Sequence, residues 1–255
     1  MAAGAPPAGS AGARIPTPAL LICLALVGTF AVFHRQLLSG FELLQVFPQD
    51  PLFQNWILEH DWLWFTGAPG HSDFWSPPFF HPRTATLAYS DPMLGLLPLY
   101  GLARALGGDP YLAYALAAIG AAALTFFAHF WLYRAGLELP TRWAAFGAYL
   151  VAYGAPRAAA LNHPHLYAHY PSAVALLAFL RALDPRRPPR ERATWAAALP
   201  LLVAVQLYAN VYLGVLSALL LLFAGAAALI DREGRRGVAT LGWRGTAAAT
   251  LGVIL

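Results

Sequence analysis

Apolar residues in this chain come in long blocks and do not alternate. The first block, residues 18–38, runs from Pro18 through Leu-Leu-Ile-Cys-Leu-Ala-Leu to Leu38. Its length matches what a bilayer core demands of a helix. A cleaved signal peptide has a similar pattern, but no clean A-x-A site follows. Further blocks cover 110–133, 143–160 and a marginal 166–180. Residues 195–230 form an apolar run too long for one ordinary span. They predict two short helices breaking near Gln206-Leu-Tyr-Ala-Asn210. A shorter block with prolines, 92–106, ends at Arg104, and residues 238–255 open a further span. That span stops in mid-run at Ile254-Leu255, so the expectation is a chain cut short at its C-terminus.

The pattern predicts an all-α fold, a polytopic transmembrane helical bundle of about 6–8 spans. Residues 1–17 are a small-residue, disordered cytoplasmic lead, and 18–255 form the transmembrane domain. Residues 39–91 interrupt the apolar rhythm. They hold six of the twelve acidic residues, four of the eight Trp and a single Arg, Arg83. Within them Phe53, Trp56, Ile57, Leu63 and Trp64 fall near helical spacing, which predicts a short juxtamembrane helix at the membrane interface.

Composition narrows the class. The chain is 59% hydrophobic and 11% charged, against about 25% charged in soluble domains. That excludes a soluble cytosolic domain and a disordered tail. A net charge of +4 does not make a nucleic-acid binder without a basic cluster on one surface. Cys23 is the only cysteine, so no disulfide forms within the chain.

Charge sets the orientation. All sixteen basic residues are Arg, and nine of them lie in 181–192 and 232–244. Both loops are expected in the cytoplasm, which requires an even number of crossings between them. Loop 39–91 then lies outside. Arg134 and Arg142 favour a cytoplasmic 134–142 turn, which holds if 92–106 is re-entrant or interfacial. If 92–106 crosses, that turn lies outside. The expected location is a bacterial cytoplasmic membrane.

Asp50 and Asp91 flank the outer loop and would meet the same membrane face. Paired carboxylates there can act as general bases or hold a divalent cation, Mg or Mn. Each also fits a helix cap, before Pro51 and Pro92. His60, His71 and His81 lack tight metal spacing, and Pro164 and Pro171 argue against a continuous helix under His165 and His169. Arg83 and Arg157 suit a phosphate, although Arg157 equally fits a snorkelling role.

Gln49-Asp50-Pro51-Leu52-Phe53-Gln54-Asn55-Trp56, with Glu59-His60 after it, is followed by Pro77-Pro78-Phe79-Phe80-His81-Pro82 and Thr86-Leu87-Ala88-Tyr89-Ser90-Asp91-Pro92. Arg157, Leu161-Asn162-His163 and Gln206-Leu207-Tyr208 come later. In this order the chain resembles the GT-C membrane glycosyltransferases, more narrowly the bacterial RgtA/B/C/D-like or YfhO-like multispan proteins. The resemblance implies transfer of a sugar from a polyprenyl-phosphate donor to a hydroxyl on a glycan, lipid or protein acceptor at the outer face of the bilayer, with inversion. Asp50 matches the family's catalytic base. Asp91 and Glu59 are the further catalytic candidates. His60, His81, Arg83, Arg157 and His163 are the substrate-binding candidates. Gln49 stands where many members carry a second acid. A transporter or flippase subunit predicts ionisable residues inside the spans; His129, Gln206 and Asn210 are the main polar residues there. An inactive fragment of such an enzyme is the other alternative.

Overall fold

A computed structural model describes residues 17–43, 49–80, 82–232 and 234–241. Helices make up the regular structure, and no strand occurs among the described residues. They are α1 (Thr17–Leu38), α2 (Gln49–Phe65), α3 (Leu97–Ala105), α4 (Pro110–Trp131), α5 (Thr141–Tyr153), α6 (Ala155–Ala159), α7 (Tyr170–Leu183), α8 (Pro189–Ala209) and α9 (Val211–Ile230). A π-helical turn, Leu132–Gly136, extends α4, and a 3-10 turn, Pro164–Tyr167, precedes α7. Five segments are long and apolar enough to cross a bilayer: Thr17–Leu38, Pro110–Gly136, Pro164–Leu183, Pro189–Ala209 and Val211–Ile230.

The 143–160 block does not form one continuous helix. α5 ends at Tyr153 and the chain turns at Gly154 into α6, where Pro156 sits in the first turn. Proline lacks the N–H that would continue α5. Residues 92–106 do not make a span. α3 has nine residues and rises about 14 Å, under half the hydrocarbon thickness. The long run at 195–230 does divide, at Asn210. The 1–17 lead, bar Thr17, and the 238–255 block, past residue 241, lie outside the described residues.

Alanine governs the packing of the first half. Ala113, Ala117, Ala118, Ala121 and Ala122 on α4 are buried, as are Ala144, Ala145, Ala148 and Ala152 on α5. Small side chains let helix backbones approach closely, which drives association where hydrophobicity gives no advantage. α7, α8 and α9 pack around Ala178, Leu199, Val203 and Leu221. A polar seam crosses them. The Ser172 hydroxyl donates to Gln206 Oε1 at 2.6 Å and lies 2.5 Å from the Ser217 hydroxyl.

The arginine-bearing turns gather at one end of the bundle. Arg186 pairs with Glu138 at 2.8 Å, and Arg181 donates to the Ala135 carbonyl at 3.3 Å. Arg192, buried, donates to the carbonyls of Ala182 and Gly237 and to the Thr240 hydroxyl. These bonds put 134–142, 181–192 and 234–241 on one side. That agrees with a 92–106 segment that does not cross.

Gly95 has no room for a side chain. A Cβ there would lie 2.3 Å from Ala209 Cβ and 3.2 Å from the Val205 carbonyl oxygen, whereas Gly225 faces open space. Gly95→Ala is expected to destabilise the protein by about 1–3 kcal/mol, and Gly225→Ala to be near neutral. Thermal unfolding of the two variants in detergent checks the contrast.

Candidate functional site

At the other end of the bundle, four segments meet. α2 supplies Asp50, and the stretch before α3 supplies Asp91. The α6–α7 connection supplies His163 and His165, and the α8–α9 break supplies Asn210.

Asp50 lies in the first turn of α2, where a carboxylate complements the helix dipole. Its Oδ2 is 3.1 Å from His163 Nε2, and both side chains are largely exposed, 61% for Asp50 and 45% for His163. Gln54, one turn along α2, fixes the helix against the rest. Its Nε2 donates to the Asn162 carbonyl, and its Oε1 accepts from the Tyr114 hydroxyl.

Asp91 is placed differently. The expectation was a cap for a helix starting at Pro92, but Met93 takes φ 50 and the helix begins only at Leu97. The carboxylate is therefore free to reach elsewhere. Oδ1 accepts the Val211 N–H at 2.6 Å, and Oδ2 accepts from Asn210 Nδ2 at 3.2 Å. His165 Nε2 lies 3.4 Å from the same Oδ2, and the pair is mostly buried. Asn210 itself caps α9, its Oδ1 accepting the Leu213 N–H at 2.8 Å. Asp91 and Asn210 thus share the orphan donors of the α9 N-terminus.

The other expected residues lie apart from Asp50 and Asp91. Glu59 sits nine residues beyond Asp50, about 14 Å along the axis and on the opposite helical face. Both its oxygens are engaged: Oε2 accepts from the Tyr100 hydroxyl at 2.6 Å, and Arg104 donates to the two oxygens at 2.8 and 2.9 Å. Burial, with Glu59 beside it, raises the Tyr100 phenol far above its usual range. His60 is buried, its Nδ1 2.8 Å from His71 Nδ1 and its Nε2 3.0 Å from the Phe74 carbonyl. Desolvation lowers its pKa. Arg157 spends its guanidinium on the carbonyls of Val151 and Leu166 and on His169 Nε2. These contacts brace the α6–α7 connection. His81 lies outside the described residues.

Arg83 lines an open cavity of about 670 Å³ with Phe53, Phe80, Thr86, Tyr89 and Ser90. Phe53 is one helical turn from Asp50, and Ser90 adjoins Asp91 in the chain, but neither carboxylate is itself part of the cavity wall. Thr86 Oγ1 is buried without a partner among the described residues. Phe79 packs edge-on against Phe53 and Trp56, which stiffens the aromatic wall. The cavity joins cationic, hydroxyl and aromatic groups. Such a surface can bind an anionic oxygen and stack a sugar ring or isoprenoid unit.

Among the described residues no three His, Cys, Asp or Glu side chains converge as metal ligands, and the Asp91 oxygens are engaged by Asn210 and the Val211 N–H. Sequence reading named Asn210 only as a break and His165 only as a weak zinc candidate. Asparagine before an apolar run is an N-cap signal, but nothing local signals its bond to Asp91.

The chain matches no family model, no curated protein and no solved structure.

Asp61 was not singled out by sequence. It is fully buried on α2, and neither carboxylate oxygen has a partner among the described residues. Burial alone pushes its carboxyl from the ordinary 3.8 up to about 8. The folded state then holds a proton that the unfolded state releases above about pH 4. Stability should therefore fall as pH rises from about 4 to about 8 and level off beyond. Asp61→Asn should flatten that slope and raise stability at pH 7–8. Denaturant unfolding across this pH range, wild type against variant, is the measurement.

Proposed function

We propose that the chain is a membrane glycosyltransferase. It moves a sugar from a polyprenyl-phosphate donor to an acceptor hydroxyl at the outer face of a bacterial cytoplasmic membrane. The observation carrying this is the setting of Asp50. It is an exposed carboxylate held by His163 at 3.1 Å, one helical turn before Phe53, which lines the cavity that holds Arg83.

In this reaction the acceptor oxygen attacks the anomeric carbon, and the carbon–oxygen bond to the donor phosphate breaks with inversion. Asp50 takes the acceptor proton as the new bond forms. His163 orients the carboxylate. The lipid phosphate leaves with the electron pair, and Arg83 stabilises the charge that develops on it. Phe53, Phe80 and Tyr89 hold the donor. Asp91 is the anchor that keeps the cavity wall and the α9 terminus in register. Glu59 holds α2 to α3 and stays outside the reacting set, as do His60 and Arg157. Three features support this reading: an available base one helical turn from the wall of a cavity that holds Arg83, the aromatic wall, and a sequence order that resembles that of GT-C enzymes.

Asp50→Asn should lower transfer from a polyprenyl-phosphate sugar by about 100-fold or more, while membrane insertion and thermal stability stay unchanged. Wild-type transfer by that variant sinks the base assignment. The orientation has its own check. In a Cys23→Ser background, a cysteine at Ser72 should react with an impermeant thiol reagent added outside, and one at Thr240 should not. The reverse pattern overturns the topology.

A further inference from the structure

The arginine-rich end of the bundle encloses a second cavity, of about 680 Å³, between the ends of α4, α7 and α9. Its two halves differ in chemistry. Phe179 and Leu180 on α7 and Ala224 and Ala227 on α9 form an apolar lower wall. Arg181, Arg186, Arg187 and Arg236 stand around its polar half. The alanines of α9 leave a groove where larger side chains would close the gap. α9 is also the most apolar of the five long helices, with mean hydropathy 2.5 and 17% of that window buried inside the bundle. The groove therefore opens onto a face suited to acyl chains.

We infer that this cavity binds an anionic phospholipid of the cytoplasmic leaflet, with its phosphate among the arginines and its acyl chains along the apolar groove of α7 and α9. The inference uses the orientation given above, but not the glycosyl-transfer reading.

Charge favours an anion here. The turns at 134–142, 181–192 and 231–236 carry ten Arg against five acids. The cavity wall itself carries four Arg against three acids, Glu138, Asp184 and Asp231, with Glu191 pairing Arg181 and Arg187, and the wider surplus lies in the surrounding turns. Asp184 and Glu138 brace Arg186 at 2.9 and 2.8 Å. Glu191 holds Arg187 at 2.5 Å. Arg181 donates from one terminal nitrogen to the Ala135 carbonyl, while its Nε is buried with no partner among the described residues. Braced guanidiniums with donors left over suit a phosphodiester. A soluble phosphate would use the rim but not the apolar wall. An amphiphile uses both, and basic pockets between helices at the cytoplasmic face are a recurrent form of lipid recognition.

The test uses the full chain in detergent micelles, with thermal unfolding read against added lipid. Phosphatidylglycerol should raise the unfolding temperature by about 3 °C or more over the same mole fraction of phosphatidylcholine. Two variants separate the halves of the site. Arg186→Gln with Arg236→Gln removes exposed cations, and Ala227→Phe fills the groove at an exposed position without touching charge. Each should lose at least half of the phosphatidylglycerol effect while unfolding near the wild-type temperature in phosphatidylcholine. Equal stabilisation by the two lipids overturns the inference. So does full stabilisation by inorganic phosphate alone, or an undiminished lipid effect in both variants. Asp50→Asn should keep the lipid response, so a failed glycosyl-transfer assay and a failed lipid assay remain distinguishable.

Discussion

The Asp91 carboxylate holds together the end of the bundle opposite the arginine-bearing turns. One oxygen takes the Val211 N–H and the other takes the Asn210 amide, with His165 at its edge. Three parts of the chain meet on one side chain: the loop before α3, the connection before α7, and the break between α8 and α9. A helix N-terminus near the rim of a bilayer presents N–H groups that lipid cannot satisfy. Asn210 satisfies one of them from within the same segment. Asp91 satisfies another from 120 residues away, so the α8–α9 hairpin depends on the 39–91 loop for its register.

That commitment divides the work between two acids that look equivalent in sequence. Asp91 is mostly buried, hydrogen-bonded through both oxygens and surrounded by groups that need it. Removing its charge leaves a backbone N–H and an amide without acceptors, a cost of structure. Asp50 has a single partner, His163, and remains largely open to solvent. A proton acceptor must be free to meet its substrate, and only Asp50 satisfies this condition. Glu59 resembles Asp91 in kind. Its forked bond to Arg104 fastens α2 across α3 and leaves no oxygen idle.

What the sequence reveals depends on the range of the interaction. The break at Asn210 is legible because an N-cap residue precedes a long apolar run, a signal contained in a few positions. The helix at 50–65 is legible, since α2 covers Gln49–Phe65, but not its faces: Gln54, Asn55, His60 and Asp61 are buried while Phe53, Trp56 and Trp64 stay exposed. The 143–160 block misleads because hydropathy averages over Gly154-Ala155-Pro156, where the backbone turns. Arg157 reads as a phosphate ligand or a snorkelling residue by type. Its guanidinium instead closes on the carbonyls of Val151 and Leu166, exposed by the irregular chain between α5 and α7. Asp61 shows no local sign at all. Its burial comes from how α2 lies on its neighbours, and no neighbour along the helix announces it. The pairing of Asp50 with His163 spans 113 residues and follows only from the folded path of the α6–α7 connection.

The two ends of the bundle use charge in opposite ways. At the arginine end, cations outnumber acids, and the acids act as braces that aim guanidiniums while leaving a positive surplus. At the other end the carboxylates lead, and the neutral partners, Asn210, Gln54 and a backbone N–H, fix segments without cancelling charge. Arg192 shows the limit of the first arrangement. It is buried and satisfied only by two carbonyls and a hydroxyl. Its charge thus stays near that face while its donors clamp α7 to the helical residues 234–241. An excess of positive charge at one face and exposed carboxylates, Asp50 among them, at the other give the bundle a built-in polarity. Most of the arginines gather in the turns of one side, and the opposite side is where Asp50 and Asp91 lie.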